Sequence, residues 1–122
     1  MAHILVLEDN HDMMMALNEV LNMHGHTVAH GYSGQEGVRI ITTGNARPDL
    51  ILSDVTMPDM DGFEFLEYVQ NQPNWAGIPF AIMSGRRTDE KIAIELGASA
   101  FIMKPFKFDE LTATLEHLLA SR

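Results

Sequence analysis

The chain has 122 residues, 46% of them hydrophobic and 20% charged, which is enough for one core and typical of a soluble globular domain. Acidic residues outnumber basic ones by 17 to 8, and this balance argues against direct nucleic-acid binding, which depends mainly on Lys and Arg. The absence of Cys excludes disulfides and thiol chemistry, and the apolar runs are too short to span a bilayer. Since the start has no signal-peptide pattern, we expect a cytoplasmic protein.

Short apolar strands alternate with amphipathic helical stretches five times along the chain. The predicted strands are 4–7, 27–30, 50–53, 79–83 and 100–103. The predicted helices are 12–23, 33–43, 61 to about 71, 88–96 and 109–119. Capping-box patterns at 33–36 and 61–64 are typical of helix starts.

Strands that are apolar throughout and separated by helices indicate a parallel sheet covered on both faces. With right-handed crossovers, the result is a three-layer (βα)5 doubly wound α/β sandwich. In such folds the carboxyl ends of the strands share one edge, where ligands bind. The residues that follow each strand are therefore the candidates for chemistry.

Polar residues with complementary chemistry stand at the ends of four predicted strands: Glu8, Asp9, Asp54, Ser84 and Lys104. Three neighbouring carboxylates repel one another unless a cation joins them, and Mg²⁺ suits an all-oxygen site shared with a phosphate. The ammonium and the hydroxyl can bind phosphoryl oxygens. The set predicts aspartyl-phosphate chemistry with Asp54 as the nucleophile. Taken singly, each residue could equally be a helix cap, a loop hydroxyl or a solvated charge.

Together with the segments 57–62, 97–101 and 104–106, these residues resemble the receiver domain of two-component response regulators. The resemblance covers the whole chain. It implies one receiver domain over residues 1–122 with a flavodoxin-like fold and the strand order 2-1-3-4-5 known from chemotaxis receivers.

The resemblance also implies the roles of the acidic residues. Asp54 would be the phosphorylation site and would receive the group from a phosphohistidine on a sensor histidine kinase or phosphotransfer protein. Mg²⁺, with Mn²⁺ as a possible substitute, would be held by Glu8, Asp9, Asp54 and the backbone carbonyl of Thr56.

The switch residues follow from the same resemblance. Lys104 would contact the phosphoryl group, with a Lys104–Pro105 bond that is expected to be cis. Ser84 would shift toward a phosphoryl oxygen, and Phe101 would swing inward behind it. The face formed by the fourth helix, fifth strand and fifth helix would then repack and signal to an unknown downstream protein or effector domain.

The expected activity is regulatory and not enzymatic, limited to self-phosphorylation from phosphodonors and slow self-dephosphorylation. By the same resemblance, Thr56 and Arg86 would lie where side chains help or block the water that hydrolyses the acyl phosphate. Arg86 is either a shield that pairs with the phosphoryl group or a solvated loop residue. The 20 residues from Ser84 to Lys104 are about two fewer than the family pattern has, which predicts a shortened fourth-helix region and a monomer or weak dimer. No membrane partner is expected.

Three alternatives remain open. The acidic edge could bind a divalent ion in an interaction module without phosphotransfer. Phosphatases of the haloacid dehalogenase type also use a strand-end Asp with Mg²⁺, but they want a second Asp two residues later, where this chain has Thr56. His24, His26 and His30 could suggest a second metal site, although their side chains need not converge.

Overall fold

The computed structural model describes residues 1–44 and 47–122 as a parallel sheet between two layers of helices. The strands are β1 His3–Leu7, β2 Thr27–Gly31, β3 Leu50–Asp54, β4 Phe80–Ser84 and β5 Ala100–Met103. The helices are α1 His11–Met23, α2 Gly34–Thr43, α3 Gly62–Gln70, α4 Asp89–Glu95 and α5 Phe108–Ser121. Each predicted element is present, with its bounds shifted by no more than two residues.

The sheet order is β2-β1-β3-β4-β5, and all neighbouring strands run parallel. This confirms the predicted doubly wound sandwich. The two strands β3 and β4 are buried at every residue, which explains their unbroken apolar runs. By contrast, β2 lies at the edge of the sheet, and most of its residues are only partly buried or exposed.

Two cores lie on opposite faces of the sheet because successive strand residues point to opposite sides. The face covered by α1 and α5 contains the following buried side chains: Ile4, Val6, Met14, Leu17, Leu50, Leu52, Leu111 and Leu115. The face covered by α2, α3 and α4 contains a second set: Leu5, Leu7, Ile41, Ile51, Phe65, Leu66, Ile82 and Ala93. The sheet therefore holds its strand ends rigidly from both sides.

A buried histidine joins the start of the chain to α5. The His26 ring accepts a hydrogen bond from the Ala2 N–H through Nδ1 at 3.1 Å, so Nε2 carries the proton and donates to Glu116. His30 instead pairs with Asn18. His26 and His30 thus engage separate partners.

Within residues 1–44 and 47–122, the structure contains no helix that is both long and apolar enough to cross a membrane. The helix α4 is short, with seven residues between Asp89 and Glu95. Its length agrees with the shortened stretch between β4 and β5.

Candidate functional site

The carboxyl edge of the sheet is held by backbone hydrogen bonds that continue past the strand ends. The Glu8 N–H donates to the Gly31 carbonyl at 3.0 Å, and the Lys104 N–H donates to the Ser84 carbonyl at 2.7 Å. Because these bonds fix the residues that follow the strands, their side chains have little freedom to leave the edge. The structure brings Glu8, Asp9, Asp54 and Lys104 together there.

Three carboxylates form a compact oxygen-rich group at this edge. Glu8, Asp9 and Asp54 each offer one oxygen, and these oxygens lie within 4.8 Å of one another. Glu8 and Asp54 are buried, whereas Asp9 is exposed. Hard divalent cations prefer such all-oxygen donors, and Mg²⁺ usually keeps waters that an exposed ligand leaves room for. The donor set therefore fits Mg²⁺ or Mn²⁺.

The lysine predicted at the end of β5 bridges two of these acids. Lys104 Nζ donates to Glu8 Oε1 at 2.6 Å and to Asp54 Oδ2 at 3.0 Å. The Lys104–Pro105 peptide bond is cis. Three carboxylates and one ammonium leave two negative charges uncompensated within this group, which is the charge that a divalent cation would balance.

The pKa values of Glu8 and Lys104 reflect two opposing influences, burial and the charge of neighbouring groups. Burial is the largest influence on Glu8 and raises the pKa of its carboxyl, while hydrogen bonds from Lys104 and from the Asn10 N–H work in the opposite direction. For Lys104, burial alone would lower the pKa, but the hydrogen bonds and charges of Glu8 and Asp54 outweigh it and raise the pKa. The ammonium thus stays protonated beside its two partners.

A tight loop positions Asp54 from behind. The Gly62 N–H donates to the Val55 carbonyl at 2.8 Å, and a Cβ at Gly62 would lie 2.2 Å from the Asp54 carbonyl oxygen. Only glycine therefore fits this close approach. The capping box of Asp61 and Glu64 starts α3 immediately afterwards, as the sequence pattern predicted. Thr56 is exposed in this loop, and the metal-binding role of its carbonyl stays a prediction.

Two predicted site residues are turned to another partner. The Ser84 hydroxyl donates to Asp89 Oδ2 at 2.6 Å, and the Arg86 guanidinium donates to both carboxylate oxygens of Asp89. Asp89 is 2% exposed and is the first residue of α4. Sequence reasoning missed it, because an acid in a first helical turn normally signals only a favourable helix dipole.

The helix-cap alternative for Glu8 and Asp9 is also resolved. The N-cap of α1 is Asn10, whose side chain accepts a hydrogen bond from the Met13 N–H at 2.8 Å. Glu8 Oε2 accepts the Asn10 N–H instead. The side chain that caps α1 is therefore that of Asn10, and not that of Glu8 or Asp9.

Two further features bear on the predicted roles, namely a cleft beside Lys104 and the packing of Phe101. A cleft of about 490 Å³ opens beside Lys104 and is lined further by Asn10, Asp12, Met13, Ala16 and Phe108. Phe101, on β5, is half-buried and packs against the core on the α2–α4 side. The cleft leads to the lysine from the side of α1 and α5.

Comparison with known proteins gives one family. The model of the response regulator receiver domain matches residues 4–116. The transcriptional regulatory protein PrrA of Mycobacterium tuberculosis is 33% identical over 121 residues, which are 98% of this chain and 50% of that protein. The hybrid signal transduction histidine kinase D of Dictyostelium discoideum is 32% identical over 122 residues, 98% of this chain and 8% of that protein. The chain spans about half the length of the first curated relatives it matches.

Solved structures agree on the fold. The receiver domain of a signal transduction histidine kinase from Syntrophus aciditrophicus has a TM-score of 0.90 at 33% identity and covers 99% of this chain and 92% of that one. The receiver domain of the sensor kinase PA1611 from Pseudomonas aeruginosa has a TM-score of 0.87 at 26% identity, with 98% of both chains covered. That structure carries a magnesium ion coordinated in its active-site cleft.

Proposed function

Because the chain belongs to the response regulator receiver domain family, we propose that residues 1–122 form one receiver domain that takes a phosphoryl group onto Asp54. The donor is a phosphohistidine on a sensor histidine kinase or phosphotransfer protein. The observation that carries this proposal is the buried Asp54 carboxylate, which accepts a hydrogen bond from Lys104 and lies among the oxygens of Glu8 and Asp9.

The transfer is a displacement at phosphorus. An Asp54 carboxylate oxygen forms the new bond to phosphorus while the bond from phosphorus to the donor histidine nitrogen breaks, and the electron pair stays on that nitrogen. Bound Mg²⁺, or Mn²⁺ in its place, would supply positive charge to the equatorial oxygens. Glu8 and Asp9 would hold it, together with Asp54 and the Thr56 carbonyl. Lys104, already 3.0 Å from Asp54 Oδ2, pairs with a phosphoryl oxygen as the charge develops.

Loss of the phosphoryl group is slow hydrolysis of the acyl phosphate by water, so the domain regulates and turns over no external substrate. Thr56 and Arg86, which follow the ends of β3 and β4, would tune this lifetime. The phosphatase alternative is disfavoured by Thr56, which offers no carboxylate for general acid–base work two residues after Asp54.

The partners follow from the two faces next to the site. The phosphodonor approaches through the cleft beside Lys104, and the output goes to an unknown downstream protein or effector domain through α4, β5 and α5. Phe101 repacks that face when Ser84 moves to the phosphoryl group. We propose a monomer or weak dimer, and a cytoplasmic location that suits a cysteine-free chain.

The test is intact-mass spectrometry after incubation with acetyl phosphate and Mg²⁺. The wild type gains one phosphoryl group, which hydroxylamine removes because it is an acyl phosphate. Asp54→Asn gains none. Asp109→Asn is the matched control, since it makes the same change at an exposed acid in the first turn of α5 and keeps the adduct. Omission of Mg²⁺ prevents the reaction.

A wild type that gains no phosphoryl group while it binds Mg²⁺ by calorimetry contradicts the proposal. That outcome favours the alternative of a divalent-ion-binding interaction module. An adduct that survives in Asp54→Asn would place the phosphoacceptor at another residue.

A further inference from the structure

A buried carboxylate ties the loop after β4 to the start of α4. Asp89 Oδ2 accepts the Ser84 hydroxyl at 2.6 Å, and Asp89 Oδ1 accepts Arg86 Nη2 at 3.1 Å. The Ser84 oxygen in turn accepts the Arg86 backbone N–H at 3.0 Å. Three residues around one short loop thus form a closed hydrogen-bond network.

This network is not an ordinary surface ion pair. The Asp89 side chain is 3% exposed, whereas the Arg86 side chain is 70% exposed. Arg87 and Glu90 have the same spacing one residue later, but Arg87 is exposed, Glu90 is only partly buried, and their closest charged atoms are 3.9 Å apart. A buried carboxylate needs hydrogen-bond donors to offset the cost of leaving water, and Ser84 supplies one of them.

The Ser84 hydroxyl has one proton, so it donates to one strong acceptor at a time. While Asp89 accepts it, the hydroxyl cannot donate to an oxygen on Asp54. Arg86 is held by the same carboxylate. Asp89 therefore retains both groups that phosphoryl recognition at Asp54 would use.

We propose that Asp89 is a positioning residue that holds Ser84 and Arg86 in the resting state and sets how readily the switch occurs. This inference rests on the proposed function. Phosphorylation at Asp54 must transfer the Ser84 proton donation from the Asp89 carboxylate to a phosphoryl oxygen. The phosphoryl group must therefore compete with Asp89 for the Ser84 hydroxyl. A weaker hydrogen bond between Ser84 and Asp89 lowers the cost of leaving the resting state, so it favours the switched state.

The test measures the apparent affinity for beryllofluoride, a non-hydrolysable stand-in for the phosphoryl group, in saturating Mg²⁺ by NMR titration of backbone amides. Asp89→Asn keeps the side-chain shape and a neutral acceptor, and it should tighten binding by about five- to tenfold, because hydrogen bonds to charged groups are stronger than neutral ones. Glu90→Gln removes the same charge from the neighbouring position and should change the affinity less than about twofold.

A second arm separates positioning from charge. In a Ser84→Ala background, Asp89→Asn should tighten binding clearly less than it does in the wild type, because the hydroxyl is gone and only the hold on Arg86 remains. A third arm needs no ligand: in the metal-free, unphosphorylated protein, Asp89→Asn should shift the amide and Nε resonances of Arg86, while Glu90→Gln leaves them in place.

The outcomes are distinguishable. Unchanged affinity in Asp89→Asn, or equal tightening in the Ser84→Ala background, overturns the positioning role but leaves the phosphoacceptor function standing. A wild type that binds no beryllofluoride and takes no phosphoryl group overturns both proposals.

Discussion

Replacing Lys104 tests the electrostatic construction of the site. Lys104→Met keeps most of the aliphatic stem but removes the ammonium that lies 2.6 Å from Glu8 and 3.0 Å from Asp54. The Glu8 side chain is 1% exposed and the Asp54 side chain 11% exposed, so both charges would remain with little access to water. Breaking a buried pair costs about 3–5 kcal/mol. Since Lys104 is 23% exposed, we expect a loss of about 2–4 kcal/mol in the free energy of unfolding.

The assay is urea unfolding at pH 7.5 in low salt with chelator, with Lys91→Met as the control because it removes an exposed lysine on α4. Glu8→Gln in the Lys104→Met background should recover much of the loss, because it removes one unpaired charge. Mg²⁺ should stabilise the variant, since a ligand at 100 times its Kd adds about 2.7 kcal/mol.

The pH dependence of the stability loss in Lys104→Met shows whether the unpaired Glu8 carboxylate causes it. Burial raises the pKa of Glu8 in the wild type, and loss of the lysine hydrogen bond should raise it further. A carboxyl whose pKa is raised in the folded state destabilises the protein when the pH is above its ordinary pKa of 4.5. This destabilisation disappears as the pH falls toward 4.5. The deficit of Lys104→Met should therefore be smaller at pH 5 than at pH 7.5. A loss below about 0.5 kcal/mol, or one that Glu8→Gln leaves unchanged, would refute this account.

Three further outcomes can be measured by the same unfolding assay. The raised pKa of Lys104 means that its stabilisation is present below its ordinary value of 10.5 and is lost as the pH rises through the folded value. On the alkaline side, the gap between wild type and Lys104→Met should thus close only above about pH 10.5, and a gap that has already closed between pH 7.5 and pH 9 contradicts the pairing. Gly62→Ala should cost about 1–3 kcal/mol and weaken Mg²⁺ binding, because its Cβ would meet the Asp54 carbonyl, whereas Gly77→Ala has room and should be close to neutral. His26→Phe preserves a ring but leaves the backbone N–H it served unpaired, for a loss of about 1–3 kcal/mol, and an effect under about 0.5 kcal/mol would show that water replaces the bond.

The fold and the acidic edge were predictable because they depend on repeating local patterns. Continuous apolar strands separated by helices require a covered parallel sheet, and such a sheet places the residues after β1, β3 and β5 at one edge whatever the details of packing. The meeting of Glu8 and Lys104, which are 96 residues apart, follows from that rule alone.

The pairing within the site was not predictable in the same way. Sequence places Ser84 at the end of β4, but the direction of a hydroxyl depends on side-chain rotamer and on the loop that follows. Asp89 turns inward because this loop is short enough to return the first turn of α4 to the strand end, five residues after Ser84. Neither hydrophobic periodicity nor a helix-start signal predicts this contact. Both describe a single helix or strand, whereas the contact depends on how closely the start of α4 approaches the end of β4.

Under the proposed function, the short α4 would link the Asp89 contact to signalling. A seven-residue helix is far below the length at which isolated helices are stable in water, so α4 depends on contacts outside itself. Its buried residues are Asp89 at the first position and Ala93 one turn later, while Ile92 and Ile94 are exposed. Loss of the Ser84 hydrogen bond would therefore weaken the attachment of Asp89, one of these two buried residues, which Arg86 also contacts. A change at Asp54 would thus reach the exposed face of α4 through its first residue, in addition to any movement of Phe101 on β5.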